Sequence, residues 1–568
     1  MSTSGKNASS MRSSAMSGTT MLIFVQLASR LFIFASNQLI LRSLSPSVLG
    51  IAAQLELLLI SILYFSRESI RAAIQRQPLQ PSSPSSTASD YHAGSRRQGE
   101  ERQIQTASSQ SIVNMSYLSI GMGIVTAMMF SGFYVRLASV EVLETPYYHT
   151  SVAIAAISSL IELCSEPIFA VVQQYMLYTR RAAVEVSAAF FKSFVTCGIS
   201  IRAIRKGHDL GVLPFALGYL SYALAILCGY SIVAFHQRSN WHFSLLLSRI
   251  TSSDDSRYYG KIFSAPLLML SANVFFQALV KHLLTQGDSM ILAAMTTLQD
   301  QGIYTLASNY GGLLARILFQ PIEESSRTMF SSLLSAKGNK GQQLDVAAAK
   351  AHLLSVMRLY MLIAVVIIPL GPTLAPRALH IVGGRKWSAP EVDDLLALYC
   401  YYIPFLAFNG IGEAFVSSTA SPAELRKQAA WMSLFSVFFA SAAYLFLSMG
   451  GLGARGLVYA NIVNMFIRIV WSFSFIRRYL QQQKTHLSPR EFSLRPATYA
   501  SGAVAAVFLS DVCRKVRPHS DLTLFIAGGV YVLQVLFCER EDIILLYARV
   551  YESLRTRSLC SEKEVKVD

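Results

Sequence analysis

Residues 21–42 read MLIFVQLASRLFIFASNQLILR, with Arg30 near the middle of the run and Gln26, Asn37 and Gln38 beside it. About twenty apolar residues suffice to cross a bilayer as a helix. A cleavable signal would carry a shorter, uninterrupted apolar core, so the polar interruptions predict a retained helix. A charge in hydrocarbon costs about 2.5–3.5 kcal/mol on insertion scales, and Arg30 is therefore expected to face a bundle interior or a water-accessible cavity.

Runs of this kind recur along all 568 residues, of which 52% are hydrophobic and 14% charged, with a mean hydropathy of +0.41. That is too apolar for a soluble chain of this length. Spans are expected to start near residues 21, 48, 112, 150, 183, 210, 262, 302, 351, 395, 430, 456, 496 and 522. The runs lack the short alternation of a membrane barrel, so helices are predicted. With the N-terminus cytoplasmic, most of the 49 Lys and Arg residues fall in cytoplasmic loops, as the positive-inside rule requires, and both termini are cytoplasmic. The net charge of +16 comes without a basic cluster interleaved with aromatics, which argues against nucleic acid. Seven cysteines without a C-x-x-C pair read as small core residues.

Three motifs repeat in order. Gln26-x-x-x-Arg30 returns as Gln277-x-x-x-Lys281, Gly50-Ile51 as Gly302-Ile303, and Glu68-Ser-x-Arg71 as Glu324-Ser-x-Arg327. Their near-constant spacing points to two related bundles, an arrangement typical of transporters with a midplane site. The predicted fold is an all-α polytopic membrane protein of about fourteen transmembrane helices. Two pseudo-symmetric six-helix bundles surround a central cavity, and two C-terminal helices follow. The expected organisation is a disordered cytoplasmic N-terminus over 1–20, a first bundle over 21–236, an interfacial linker over 237–261, a second bundle over 262–480, two further helices within 496–541 and a cytoplasmic tail over 542–568. The Ser-, Pro- and Gln-rich stretch 77–110 reads as a disordered cytoplasmic insert. The pattern WHFSLLLSRI over 241–250 suggests a short interfacial helix, with a plain linker as the alternative.

Polar residues inside the spans fall at helical spacing on single faces: Gln26, Arg30 and Asn37; Asn273, Gln277 and Lys281; Asn309, Arg316 and Gln320; Asn461, Asn464 and Arg468. Acidic stripes run through Glu162, Glu166 and Gln173, and through Tyr402, Asn409 and Glu413. Single amides on such stripes commonly just tie helices together. The deep charges of the repeated helices are basic, which suits an anionic ligand, since arginine offers forked donors to phosphate and lysine a mobile point charge. Candidate ligand-binding residues are Arg30, Asn37, Gln277, Lys281, Arg316, Asn409, Glu413, Asn464 and Arg468. Lys192 is a weaker candidate, and snorkelling is an alternative for Lys281. A cytoplasmic gate is expected from Arg67, Glu68, Arg71, Gln320, Glu323 and Glu324, with Arg67 and Arg71 pairing to Glu323 or Glu324. Solvated end charges are the plainer alternative. No pattern requires a metal or other cofactor, and no nucleotide motif is present.

Asp300-Gln-Gly-Ile-Tyr304, followed by Leu314-Ala-Arg-Ile-Leu-Phe-Gln-Pro-Ile-Glu-Glu-Ser325, resembles the signature of the eukaryotic Rft family. In order along the chain, Phe65-Ser-Arg-Glu-Ser69, Glu162-Leu-Cys-Ser-Glu-Pro167, Lys281-His-Leu-Leu-Thr285, Asn409-Gly-Ile-Gly-Glu413 and Ala460-Asn-Ile-Val-Asn-Met465 with Arg468 are similar to the family as well. The resemblance runs from about Gln26 to Arg478. It implies the superfamily of multidrug, oligosaccharidyl-lipid and polysaccharide flippases, which includes the bacterial cell-wall lipid flippases. It also implies a membrane lipid substrate, dolichyl pyrophosphate carrying five mannoses and two N-acetylglucosamines. That lipid is moved, directly or with help from other N-glycosylation proteins, from the cytoplasmic to the lumenal leaflet of the endoplasmic reticulum.

No enzymatic step is expected. The rivals are a membrane glycosyltransferase and a non-transporting scaffold of the same pathway. The transferase would need an acidic pair in an early lumenal loop. The first such loop is only Ser43-Leu-Ser-Pro-Ser47, and Asp393-Asp394 reads as a solvated helix start.

Overall fold

In the computed structural model the described residues are 38, 40–41, 44–75, 94–175, 177–237, 243–250, 258–334, 342–384, 387–515, 521–541 and 544. They are almost entirely helical and divide into two units, Met1–Ala293 and Ala294–Asp568. Nine of the described helices are long and apolar enough to cross a membrane, and a bent pair makes a tenth. The count of fourteen expected from the apolar runs is thus reached only in part.

The first unit contains α1 (Pro46–Gln75), α2 (Gly94–Leu137), α3 (Tyr148–Leu163), α4 (Glu166–Gln174), α5 (Tyr178–Lys206), α6 (Leu213–Gln237) and α7 (Ala265–Met295). Residues 94–110, placed by sequence in the polar insert, are the first turns of α2. Glu100-Glu101-Arg102-Gln103 are good helix formers, and Gln110 is buried. Helix α7, expected at the start of the second bundle, belongs to the first unit. There the His282 ring lies 4.6 Å from Tyr64 and 4.8 Å from Phe65, and its Nε2 is 3.1 Å from Ser61 Oγ.

Of the two expectations for 241–250, the described residues 243–250 fit the plain linker and not the interfacial helix. Residues 243–250 form an extended strap whose backbone is held by amide side chains of α2. Ser244 N donates to Gln110 Oε1 at 2.9 Å, while Gln110 Nε2 donates to the Leu246 carbonyl at 3.1 Å. Asn114 Nδ2 donates to the carbonyls of Ser248 and Ile262 at 2.7 and 2.8 Å, and its Oδ1 accepts from Ser248 N. Non-helical backbone at a membrane border needs such partners, and Gln110 and Asn114 supply them in place of a helical ladder. A two-strand hairpin, β1 (Tyr258–Tyr259) and β2 (Phe263–Ser264), leads into α7.

The second unit contains α8 (Leu298–Leu314), a π-helical turn (Ala315–Phe319), α9 (Gln320–Leu334), α10 (Gln342–Gly383), α11 (Pro390–Thr419), α12 (Pro422–Tyr444), α13 (Ala454–Gln482), α14 (Pro496–Lys515) and α15 (Asp521–Cys538). The π turn stands just before Pro321, which has no N–H for the carbonyl of Ile317. Helix α10 carries Pro369, Pro372 and Pro376 in its interior. Pro369 frees the Val365 carbonyl, and Tyr531 OH on α15 donates to it at 2.8 Å. The two C-terminal helices thus join the unit through a core of Val365, Leu370, Leu509, Leu524, Tyr531 and Val535.

Candidate functional site: a buried polar node in each unit

In the first unit, α3 and α4 are two segments of one apolar stretch bent by 40°. Pro167 lies in the first turn of α4, and Ser165 Oγ bonds the Glu162 carbonyl at 2.7 Å. The break places Glu166 at a helix start, where the dipole favours negative charge, close to Glu162. Both carboxylates are buried. Arg67 Nη1 donates to Glu162 Oε1 at 2.6 Å and to Glu166 Oε1 at 3.3 Å. Arg71 grips Glu166 with both arms of its fork, Nε to Oε2 at 2.9 Å and Nη2 to Oε1 at 2.6 Å. Its guanidinium also covers the Phe169 ring at 3.7 Å, and Arg181 approaches the same ring at 4.9 Å. Two carboxylates and two guanidiniums therefore balance one another within the unit.

Within the first unit Arg67 and Arg71 bond Glu162 and Glu166, whereas the expected gate pairing to Glu323 or Glu324 would join the two units and stays a proposal. Opposite charges on neighbouring helices of one unit are in reach without any change of conformation. Within the second unit Gln320 Nε2 bonds Glu324 Oε1 at 3.1 Å on an exposed face. Glu68 faces Lys281 Nζ at 3.7 Å, with Lys281 69% exposed, a pair worth about 0–1 kcal/mol. Gln277 is exposed as well. Lys192 lies 4.0 Å from Glu56 and 4.4 Å over the Tyr219 ring, which accounts for its charge locally. Arg30 and Asn37 lie outside the described residues. For Arg316 only the backbone is described, in the π turn.

The second unit brings Asn409, Glu413, Asn464 and Arg468 together. Asn409 and Glu413 are one turn apart on α11, and Asn409 Nδ2 donates to Glu413 Oε1 at 3.3 Å. Arg468 on α13 forms an ion pair with the same oxygen through Nη2. Asn464 precedes Arg468 by one turn and Ser472 follows by one turn, with Ser472 buried against Gly412. Among the described residues, Asn409 Oδ1, Asn464 Oδ1, Arg468 Nε and Ser472 Oγ are buried without a partner. Glu323 on α9 reaches the same region: its carboxylate fills the space that a Cβ on Gly410 would occupy. Asn461, the next polar residue of the α13 stripe, bonds Tyr304 OH at 3.0 Å.

At the other end of α11 the acidic pair is engaged by basic side chains, Asp393 by His380 at 2.7 Å and Asp394 by Arg455 at 2.6 Å. Among the described residues no group of three metal-ligating side chains is present.

The family model described as Rft protein matches residues 14–549. The chain belongs to the Rft family. It is 35% identical over 522 residues to the Man(5)GlcNAc(2)-PP-dolichol translocation protein RFT1 of Yarrowia lipolytica, covering 86% of this chain and 74% of that one. The identically named protein of Saccharomyces cerevisiae is 32% identical, with 83% and 84% covered. Among solved structures, the lipid II flippase MurJ in an inward closed conformation aligns with a TM-score of 0.59 and 12% identity, over 92% of this chain and 100% of that chain. A multidrug resistance MATE transporter in an inward-facing conformation aligns with a TM-score of 0.53 and 14% identity, over 81% and 98%. At such identities the likeness concerns the fold.

Some of the motifs that resemble the family lie in the two nodes. Glu162-Leu-Cys-Ser-Glu-Pro167 supplies both carboxylates of the first, and Asn409-Gly-Ile-Gly-Glu413 with Arg468 supplies the second. His282, Ser472 and Gly410 were missed as site residues. The first has no charge partner in sequence, and the other two matter only through a neighbour on another helix.

Proposed function

We propose that this Rft-family chain translocates, or assists the translocation of, dolichyl-pyrophosphate-linked Man5GlcNAc2 from the cytoplasmic to the lumenal leaflet of the endoplasmic reticulum membrane. The observation that carries the reading is the extent of the match: relatives named for that translocation are 32–35% identical over most of both chains. A pyrophosphate with a large sugar cannot cross hydrocarbon unaided, so a translocator must replace its hydration with fixed donors. Arg30, Asn37, Gln277, Lys281 and Arg316 remain the candidates for that contact. Arg468 has its charge balanced by Glu413, which makes it a weaker candidate for phosphate. The relatives' names and the transporter-like fold support a non-enzymatic role.

The proposed topology has fourteen spans in two related bundles and two C-terminal helices, with both termini cytoplasmic. The nine long apolar helices, the α3–α4 pair, α8 with α9, α14, α15 and the run 21–42 supply that number. Expression of this chain in yeast depleted of its own relative tests the reading. Restored glycosylation of a secreted reporter is expected, and persistent underglycosylation with the chain correctly in the membrane would contradict it.

A further inference from the structure

The two nodes differ in how their charges balance. In the first unit Glu162 and Glu166 share two guanidiniums, those of Arg67 and Arg71. The repeat that aligns Glu68 with Glu324 aligns Arg67 with Glu323, so the second unit has a carboxylate where the first has an arginine. Glu323 lies against Gly410, and Glu413, three residues further along α11, holds Arg468. Two half-buried carboxylates thus stand near one inward guanidinium.

Hydrogen-bond accounting runs the same way. Ionised carboxylates only accept, and Glu413 Oε1 already takes bonds from Arg468 and Asn409. Asn409 is 7% exposed, and its bond to Glu413 aims the amide into the cluster while its Oδ1 has no donor among the described residues. Asn464 Oδ1 and Ser472 Oγ are likewise unpartnered on the stripe of α13 that carries Arg468. Buried polar groups left unbonded are costly, so their concentration here marks a place built to take up another species.

The residues restrict what that species is. A phosphate is repelled by Glu323 and finds Arg468 already neutralised. A bare metal cation would meet the N–H of Arg468 Nε, a donor with no affinity for it. A proton needs no room beside Gly410, converts a carboxylate oxygen into a donor, and removes the repulsion between two neighbouring carboxylates.

We propose that Glu323 and Glu413 together form a proton-binding site of the second unit, with Glu323 as the carrier, and that proton release from it regulates translocation. The regulatory half rests on the translocation reading; the binding half does not. The charged and titratable groups around Glu323 among the described residues are Glu324 and Arg327 on its own helix, Glu413 on α11, Tyr360 on α10 and, through Glu413, Arg468 on α13. His352 on α10 is held by Ser326 Oγ at 3.0 Å. Gly410 is a positioning residue, because any side chain there would displace the Glu323 carboxylate.

The test is infrared spectroscopy of the purified full chain in lipid nanodiscs, following the protonated-carboxyl stretch from acid to alkaline pH. Wild type should show a titrating band that is lost in Glu323→Gln and retained in Glu424→Gln, a carboxylate at the exposed start of α12. Glu413→Gln and Gly410→Ala should keep the band and move its midpoint, which covers the case in which Glu323→Gln fails to fold. A band unchanged in Glu323→Gln, or a midpoint unmoved in the other two, overturns the site whether or not vesicles move glycolipid. Wild-type translocation that depends on pH and becomes independent of it in Glu413→Gln supports the regulatory half; equal pH dependence in both overturns that half.

Discussion

Glu162 and Glu413 stand 251 residues apart, the spacing of Gln26 and Gln277, and each holds an arginine from another helix, Arg67 on α1 and Arg468 on α13. A carboxylate so placed gives each unit an internal polar tie between two helices. The sources of the arginines differ: α1 precedes its carboxylate in the chain, and α13 follows it.

Removing one member of the first tie should be costly. Glu166→Gln leaves Arg71 without its forked partner and weakens Arg67. Loss of one partner of a buried pair costs about 3–5 kcal/mol, so the melting temperature of the purified protein in detergent should fall clearly. Joint replacement of Arg71 and Glu166 by Met and Gln should recover part of that loss, since no charge is then left buried and alone. A double variant no more stable than Glu166→Gln would contradict the tie.

Much of this was legible in the chain, and the failures have physical causes. Spacings of four and seven residues put Asn409 with Glu413, and Asn464 with Arg468, on single faces, and the second node joins those faces. For Arg67 and Arg71 the repeat draws attention to Glu323 and Glu324 and away from acidic neighbours within the first unit. The carboxylates that reach them are Glu162 and Glu166, brought close by the bend before Pro167. Likewise WHFSLLLSRI has helical periodicity, but Gln110 and Asn114, more than a hundred residues upstream, offer its backbone better partners. A signal spread over two distant segments is invisible to local periodicity.

Tyr531→Phe tests the docking of the C-terminal helices. It removes the hydroxyl that satisfies the Val365 carbonyl freed by Pro369 while leaving the ring in the same core. The expected loss is about 1–3 kcal/mol, read as a lower melting temperature with wild-type translocation in the folded fraction. Unchanged stability would show that the carbonyl does not depend on Tyr531.

Acid should loosen the short helical turn Pro489–Glu491 from α10. The hydrogen bond from Lys350 Nζ, at 2.6 Å, holds the Glu491 carboxyl below its ordinary range, helped by the backbone N–H of Ser488. A carboxyl whose folded value is depressed adds stability above its unfolded value of about 4.3 and loses it as pH falls through the folded value. Lys350→Met should therefore lower stability at neutral pH and flatten the decline between pH about 4.3 and more acid conditions. An acid limb identical to wild type would refute the assignment.

The most direct measurement of the central claim uses vesicles holding the purified full chain and dolichyl-pyrophosphate Man5GlcNAc2, with lectin or enzyme access to the outer leaflet as readout. Wild type should expose inner-leaflet glycolipid many-fold faster than protein-free vesicles, and Arg30→Ala should abolish most of that gain while leaving the chain folded. Equal rates with and without the protein would contradict direct translocation by this chain.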